Sequence, residues 1–117
     1  MKTKKELKED YKQIKFVIGV FQITNMVNNK IYIEGSSNVK ARWNRYITQL
    51  NFGSHPIIDL QNDWKVYGEE KFKFEILAEI KQDDVEEKDY TSELKGLENL
   101  YLEDLKPFGE KGYNLRK

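Results

Sequence analysis

Arg42 and Tyr46 stand four residues apart in a helix-permissive stretch, so they share one helix face. A guanidinium there stays charged and offers a rigid fork of donors, the geometry that holds a phosphate. The plainer alternative is a surface Arg stacked on a nearby Trp or Tyr. Glu98 interrupts an apolar helical stripe, four residues after Leu94 and three before Tyr101. A carboxylate is costly at such a place unless it is paired, metal-bound, or reaching to water at the stripe edge. His55 is the only histidine and sits at a helix-start junction, where exposure is expected; phosphate contact or proton transfer would suit it. Tyr32 falls on the opposite side of its strand from Ile31 and Ile33. Beside a metal-bound water, its hydroxyl could take a proton if its pKa were lowered; otherwise it packs. Phosphate-binding Gly loops, zinc-ligand clusters and dinucleotide fingerprints are missing from the sequence.

The elements that carry these groups follow from periodicity. Phe16 to Ile23 is rich in β-branched and aromatic residues and predicts a strand. Asn25 to Asn29 is a turn, and Lys30 to Ile33 a second strand. Ser36 or Ser37 is placed to cap a helix whose apolar positions are Val39, Trp43, Ile47 and Leu50, and which Asn51 and Gly53 end. Ser54 and Pro56 open a second helix, with Ile57, Leu60, Trp64 and Tyr67 as its stripe and Gly68 beyond it. The two helices are expected to be antiparallel neighbours. Phe72, Phe74, Ile76 and Leu77 mark a third strand. After the polar run 81–89, a loop or solvated first turn, Leu94, Leu97, Tyr101, Leu102 and Leu105 mark a last helix that Pro107 ends. Phe108, Tyr113 and Leu115 of the tail should dock on the core. Residues 1–14 read as a leading helix or arm, and 15–117 as a single domain.

Composition narrows the function classes. With 38% hydrophobic residues and thirteen Phe and Tyr in 117, the chain can bury one modest core rather than stay disordered. The lack of Cys excludes disulfides, thiolate metal sites and cysteine nucleophiles. No stretch has the length of a signal or membrane-spanning segment, so a cytoplasmic protein without a membrane partner is expected. The net charge of zero conceals an asymmetry: residues 1–50 carry +6 and residues 51–117 carry −6. A basic front half could face a phosphate backbone while the acidic half faces water; ordinary scatter of charge is the alternative.

Taken together, these residues resemble the GIY-YIG endonuclease superfamily. Its opening Gly-Ile-Tyr corresponds to Gly19-Val20-Phe21, and its Tyr-Ile-Gly to Tyr32-Ile33-Glu34. The stretch GSSNVKARW carries the family's Arg as Arg42, with Tyr46 one turn on. HPIIDLQNDWKVYGEEKFKFEIL and LKPFGEKGYN resemble the homing-nuclease-like branch, and the likeness runs from Lys15 to Asn114. The resemblance implies an α/β (α+β) fold, a small three-stranded, mainly antiparallel sheet flanked by helices. It also implies divalent-metal-dependent hydrolysis of a DNA phosphodiester, with one Mg²⁺ or Mn²⁺. On that likeness Glu98 would hold the metal and Arg42 would stabilise charge on the phosphate. Tyr32, helped by Tyr46 or His55, would orient or deprotonate the water. Asn114 and Ser36 would support the site, and Lys40 and Arg45 would contact nucleic acid. A catalytically impaired nucleic-acid-binding or regulatory relative is the alternative. Two positions depart from the motif: Phe21 lacks the first Tyr hydroxyl, and Glu34 puts an acid where the motif has Gly. Such an acid would either add a metal ligand or repel the phosphate. At this length there is no room for a separate recognition domain, so specificity is expected from a partner subunit, an oligomer or a permissive substrate.

Overall fold

The structure is a computed structural model that describes residues 16–82 and 88–115. The leading helix expected within 1–14, and part of the polar run, lie outside the described residues. The element order is β1 (Gly19–Asn25), β2 (Ile31–Ser36), α1 (Val39–Phe52), α2 (Ile58–Tyr67), β3 (Phe72–Glu79) and α3 (Thr91–Leu105). The strands form one antiparallel sheet in the order β2-β1-β3, with the hairpin's first strand in the middle. Asn29 adopts φ 64° in the hairpin turn, a left-handed conformation that Asn tolerates. Both hairpin strands differ in extent from the sequence expectation. β1 starts three residues after Phe16 and continues to Asn25, while β2 continues past Ile33 to Ser36. Pairing to the central strand carries Glu34 and Gly35 into the sheet, because Glu34 lies opposite Phe21 and Gly35 opposite Val20.

Register decides what each face holds. Cross-strand partners share a face, so Phe21, Ile23, Tyr32 and Glu34 point one way. Phe72 and Phe74 of β3, opposite Asn25 and Ile23, join them. That face packs against Val39, Tyr46 and Leu50 of α1 and Leu60 and Trp64 of α2, and Tyr113 from the tail completes the core. Val20, Ile33 and Gly35 point to the other face, which α3 covers. A Cβ on Gly35 would meet the Leu94 side chain at 3.0 Å and Glu98 Oε2 at 3.1 Å, so α3 approaches β2 through the missing side chain.

The helix starts are set by side chains that periodicity ranks only loosely. Asn38, not Ser36 or Ser37, caps α1: its side-chain oxygen accepts the Ala41 N–H. Ser36 Oγ accepts the Asn38 N–H, which braces the entry to the cap. α2 begins at Ile58 rather than at Ser54 or Pro56. Side-chain bonds hold the chain ahead of it: the His55 N–H donates to Gln61 Oε1 and the Ile57 N–H to His55 Nδ1. Of the tail, Tyr113 is buried and Phe108 half-buried, whereas Leu115 is 75% exposed and does not dock.

Candidate active site

β2 is an edge strand, and an open edge leaves N–H and C=O groups that need partners. Here the C-terminal third of the chain supplies them. The Tyr113 N–H donates to the Ile31 carbonyl at 2.8 Å. Asn114 clamps Ile33 twice, its Oδ1 accepting the Ile33 N–H at 2.8 Å and its Nδ2 donating to the Ile33 carbonyl at 2.7 Å. Glu98 Oε2 accepts the Gly35 N–H at 2.6 Å. Gly112 permits this approach, because a Cβ there would fall 2.4 Å from the carbonyl oxygens of Ile31 and Pro107. The carboxylate that interrupts the α3 stripe is therefore paired with backbone, as its cost requires.

The core-facing side of β2 ends in a second carboxylate. Glu34 Oε1 accepts hydrogen bonds from the Tyr32 hydroxyl at 2.8 Å and the Tyr46 hydroxyl at 2.5 Å. Glu34 Oε2 lies 3.6 Å from Arg42 Nε and is buried without a hydrogen-bond partner. The Arg42 guanidinium sits 5.9 Å from the Tyr46 ring centroid, so the stacked-Arg alternative is realised together with the ion pair. The Arg42 side chain is 38% exposed, so water screens the pair and its contribution to stability is small. Two phenols and a guanidinium thus converge on one acid.

That arrangement shifts the titration of both phenols upward. Burial, reinforced by the negative charge of Glu34, raises the Tyr32 pKa far above its ordinary value. Tyr46 is pushed up to about 12, by burial first and then by its bond to Glu34. Both shifts favour the protonated hydroxyl, because each phenol donates its proton to a carboxylate. His55 also departs from expectation. It is 5% exposed rather than open to solvent, and its ring stands edge-on to Tyr46 with centroids 4.5 Å apart. Burial lowers its pKa. Since Nδ1 accepts the Ile57 N–H, the neutral ring carries its proton on Nε2, which is buried without a partner.

Phe21 is fully buried, its ring edge-on to Trp43 and Tyr46, and it brings no polar atom to the cluster. Lys40 and Arg45 lie on exposed positions of α1, outside the cluster. A cavity of about 500 Å³ is lined by Tyr32, Glu34, Glu98 and Asn114, with Lys95 and Phe108 at its wall. Among the described residues no group of three or more His, Cys, Asp or Glu side chains could hold a metal. Mg²⁺ commonly takes one or two carboxylates and keeps its remaining waters. Glu98, with one oxygen tied to Gly35 and the other not, fits that mode from the cavity wall.

Comparison with known proteins places this geometry. No family model matches the chain. Intron-associated endonuclease 1 of Enterobacteria phage T4 is 34% identical over 97 residues, which span 83% of this chain and 36% of that protein. The solved catalytic domain of homing endonuclease I-TevI superposes with a TM-score of 0.70 at 28% identity, covering 86% of this chain and 99% of that one. A mutant of the same intron endonuclease domain gives 0.71 at 28% identity, over 86% and 95%. In sequence and in fold the chain is similar to the GIY-YIG, homing-endonuclease-like catalytic domain. Its three-stranded antiparallel sheet flanked by helices is the GIY-YIG nuclease fold.

Within this domain, the structure brings Tyr32, Arg42 and Tyr46 onto Glu34, and His55 against Tyr46. It puts Glu98 and Asn114 on the outer edge of β2, and leaves Lys40 and Arg45 apart from both groups. Sequence reasoning missed the Gly35 N–H as the partner of Glu98, and Glu34 as the point on which the donors meet. The signal for both was present. A strand that places Tyr32 on the core face must place Glu34 there two residues on, and Gly35 on the side of α3.

Proposed function

We propose that this domain hydrolyses DNA phosphodiester bonds with one divalent ion, Mg²⁺ or Mn²⁺. The observation that carries the proposal is a single site: a carboxylate, Glu98, lines the same cavity as Tyr32 and Glu34, on which the Arg42 guanidinium and a second phenol converge. Glu98 would hold the ion, which when bound supplies positive charge to the phosphate and lowers the pKa of water. Arg42 would neutralise charge developing on the phosphoryl oxygens, for which its fixed fork is suited. Tyr32 and Tyr46 act as neutral hydroxyls that orient the water or an oxygen of the phosphate. His55 backs Tyr46 through its ring contact. Asn114 keeps β2 in place under the site by its two bonds to Ile33. Ser36 braces the start of the helix that carries Arg42. Lys40 and Arg45 would add phosphate contacts along the exposed side of α1.

The test is cleavage of supercoiled, linear and branched DNA with Mg²⁺ or Mn²⁺, beside Glu98→Ala and Arg42→Ala proteins. Metal-dependent product that falls at least a hundredfold in both variants is expected. No product, or product unchanged in both variants, refutes the proposal. Glu34 favours a second reading, a cleavage-impaired domain that binds nucleic acid, since its charge stands among the groups that would receive phosphate. Salt-dependent DNA binding without metal-dependent product marks that outcome. The chain spans about a third of the phage endonuclease's length.

A further inference from the structure

We infer that Glu34 is a resident anion: it fills the seat of a phosphoryl group, and the domain stays latent until that carboxylate moves out. The inference rests on the phosphodiester reading of the site and adds to it what state the site is in. Four observations lead there.

The groups that would bind a phosphoryl group are already engaged by the chain itself. The Tyr32 and Tyr46 hydroxyls both donate to Glu34 Oε1, and Arg42 Nε lies 3.6 Å from Oε2. A phosphate is an oxyanion that asks for the same donors, so it and the carboxylate compete for one place and repel each other if both are present. The backbone does not relieve the conflict. Pairing of Glu34 opposite Phe21, with Tyr32 opposite Ile23, fixes the side chain on the α1 face, and only a register slip could turn it to the other face. A path for displacement exists nonetheless. The Glu34 side chain retains 20% exposure and borders the cavity of about 500 Å³, so a change of rotamer moves the carboxylate without disturbing the sheet. Finally, the other polar rings beside Glu34 are occupied within the fold. Tyr32 and Tyr46 are donors to it, and His55 uses its acceptor nitrogen on Ile57. Withdrawal of Glu34 frees both phenols and the guanidinium in a single movement.

Glu34→Gln tests this directly. It keeps the side chain's size and an oxygen for the two hydroxyls while removing the charge. Inorganic phosphate is titrated into the whole chain, without metal, and followed by protein NMR at the Tyr46 and Arg42 signals. Four proteins are compared: the parent, Glu34→Gln, Glu34→Ala, and Glu34→Gln combined with Arg42→Ala. Binding at least tenfold tighter in Glu34→Gln and Glu34→Ala, and abolished again by the added Arg42→Ala, is expected. The parent binding phosphate as tightly as both variants overturns the inference. So does gained binding that survives loss of Arg42, since the phosphate is then elsewhere. Thermal melts of each protein accompany the titrations, and Glu34→Gln carries the test should Glu34→Ala fold poorly. Cleavage with Mn²⁺ provides a separate arm. Tighter phosphate binding with no cleavage in any protein refutes the nuclease reading and leaves the seat intact. A tenfold or greater loss of cleavage in Glu34→Gln, without gain of phosphate binding, makes Glu34 a participant in the reaction and refutes the latent state.

Discussion

Removing the Asn114 side chain should loosen β2 without touching any charged group of the site. Asn114 makes two bonds to one residue, accepting the Ile33 N–H at 2.8 Å and donating to the Ile33 carbonyl at 2.7 Å. A net contribution of about 1 kcal/mol per bond puts the cost of Asn114→Ala near 2 kcal/mol. Full burial of the orphaned groups would raise it to about 4 kcal/mol. The position is half-buried and borders the cavity, so water can reach both groups and the lower figure applies. For a domain of this size a loss of about 2 kcal/mol lowers Tm by roughly 8 °C. The assay is chemical denaturation of parent and Asn114→Ala, with hydrogen exchange at the Ile33 amide. Destabilisation of about 2 kcal/mol and protection of Ile33 reduced tenfold or more are expected. Asn114→Asp separates the two bonds. Its carboxylate still accepts the N–H but repels the carbonyl, so it should recover little at pH 7. A change below about 0.5 kcal/mol in Asn114→Ala, with Ile33 protection intact, would refute the view that this side chain holds the edge of β2.

Other consequences follow from the same contacts. Gly35→Ala brings a Cβ to 3.0 Å from Leu94 and 3.1 Å from Glu98 Oε2; both neighbours are side-chain ends that can yield, so a cost of about 1–2 kcal/mol is expected by denaturation. The Gly35 N–H bond to Glu98 should weaken with it, visible as faster exchange of that amide. His55 is held neutral by burial, so its pKa is lower folded than unfolded. Its part of the stability is whole above the unfolded pKa of about 6.5 and is lost as pH falls below that value, because only the unfolded chain then takes the proton. Denaturation midpoints at pH 7.5 and 5.5 should therefore fall further in the parent than in His55→Asn, whose oxygen can still accept the Ile57 N–H. Equal falls would remove His55 as the cause. If α1 follows a DNA backbone, replacing Lys40 and Arg45 by Ala should lower the slope of log affinity against log salt by about 2, measured by fluorescence anisotropy, with little change in folding.

How much of this was legible beforehand varies by residue. Val39, Trp43, Ile47 and Leu50 repeat with a helical period, so α1 was readable, and Tyr32 between two Ile residues made β2 readable. The cap was less so. Asn38 and the two serines before it are all competent acceptors, and only the direction of the chain leaving β2 selects Asn38. His55 looked exposed because a loop position carries no periodicity, and its burial comes from Tyr46 and Gln61 approaching from elements on either side.

The sequence by itself determined the three strands and three helices of the described residues, their order, the family that the chain resembles, and the two positions at which its motifs change. Those rest on local propensity, apolar spacing and matching residue types, all of which are one-dimensional. Tertiary structure alone decided which partners Arg42, Tyr46 and Glu98 meet. Glu98 lies 63 residues from the Gly35 N–H that it accepts, and no local rule pairs a helix carboxylate with a particular strand amide. The register of β2 against β1 turned Glu34 from a motif variation into the acceptor of two phenols, because a strand displays alternate residues to opposite faces and pairing chooses which face is inside. Whether a carboxylate among phosphate-binding groups is a ligand or an obstacle depends on distances of a few ångströms, and only the packed fold sets those.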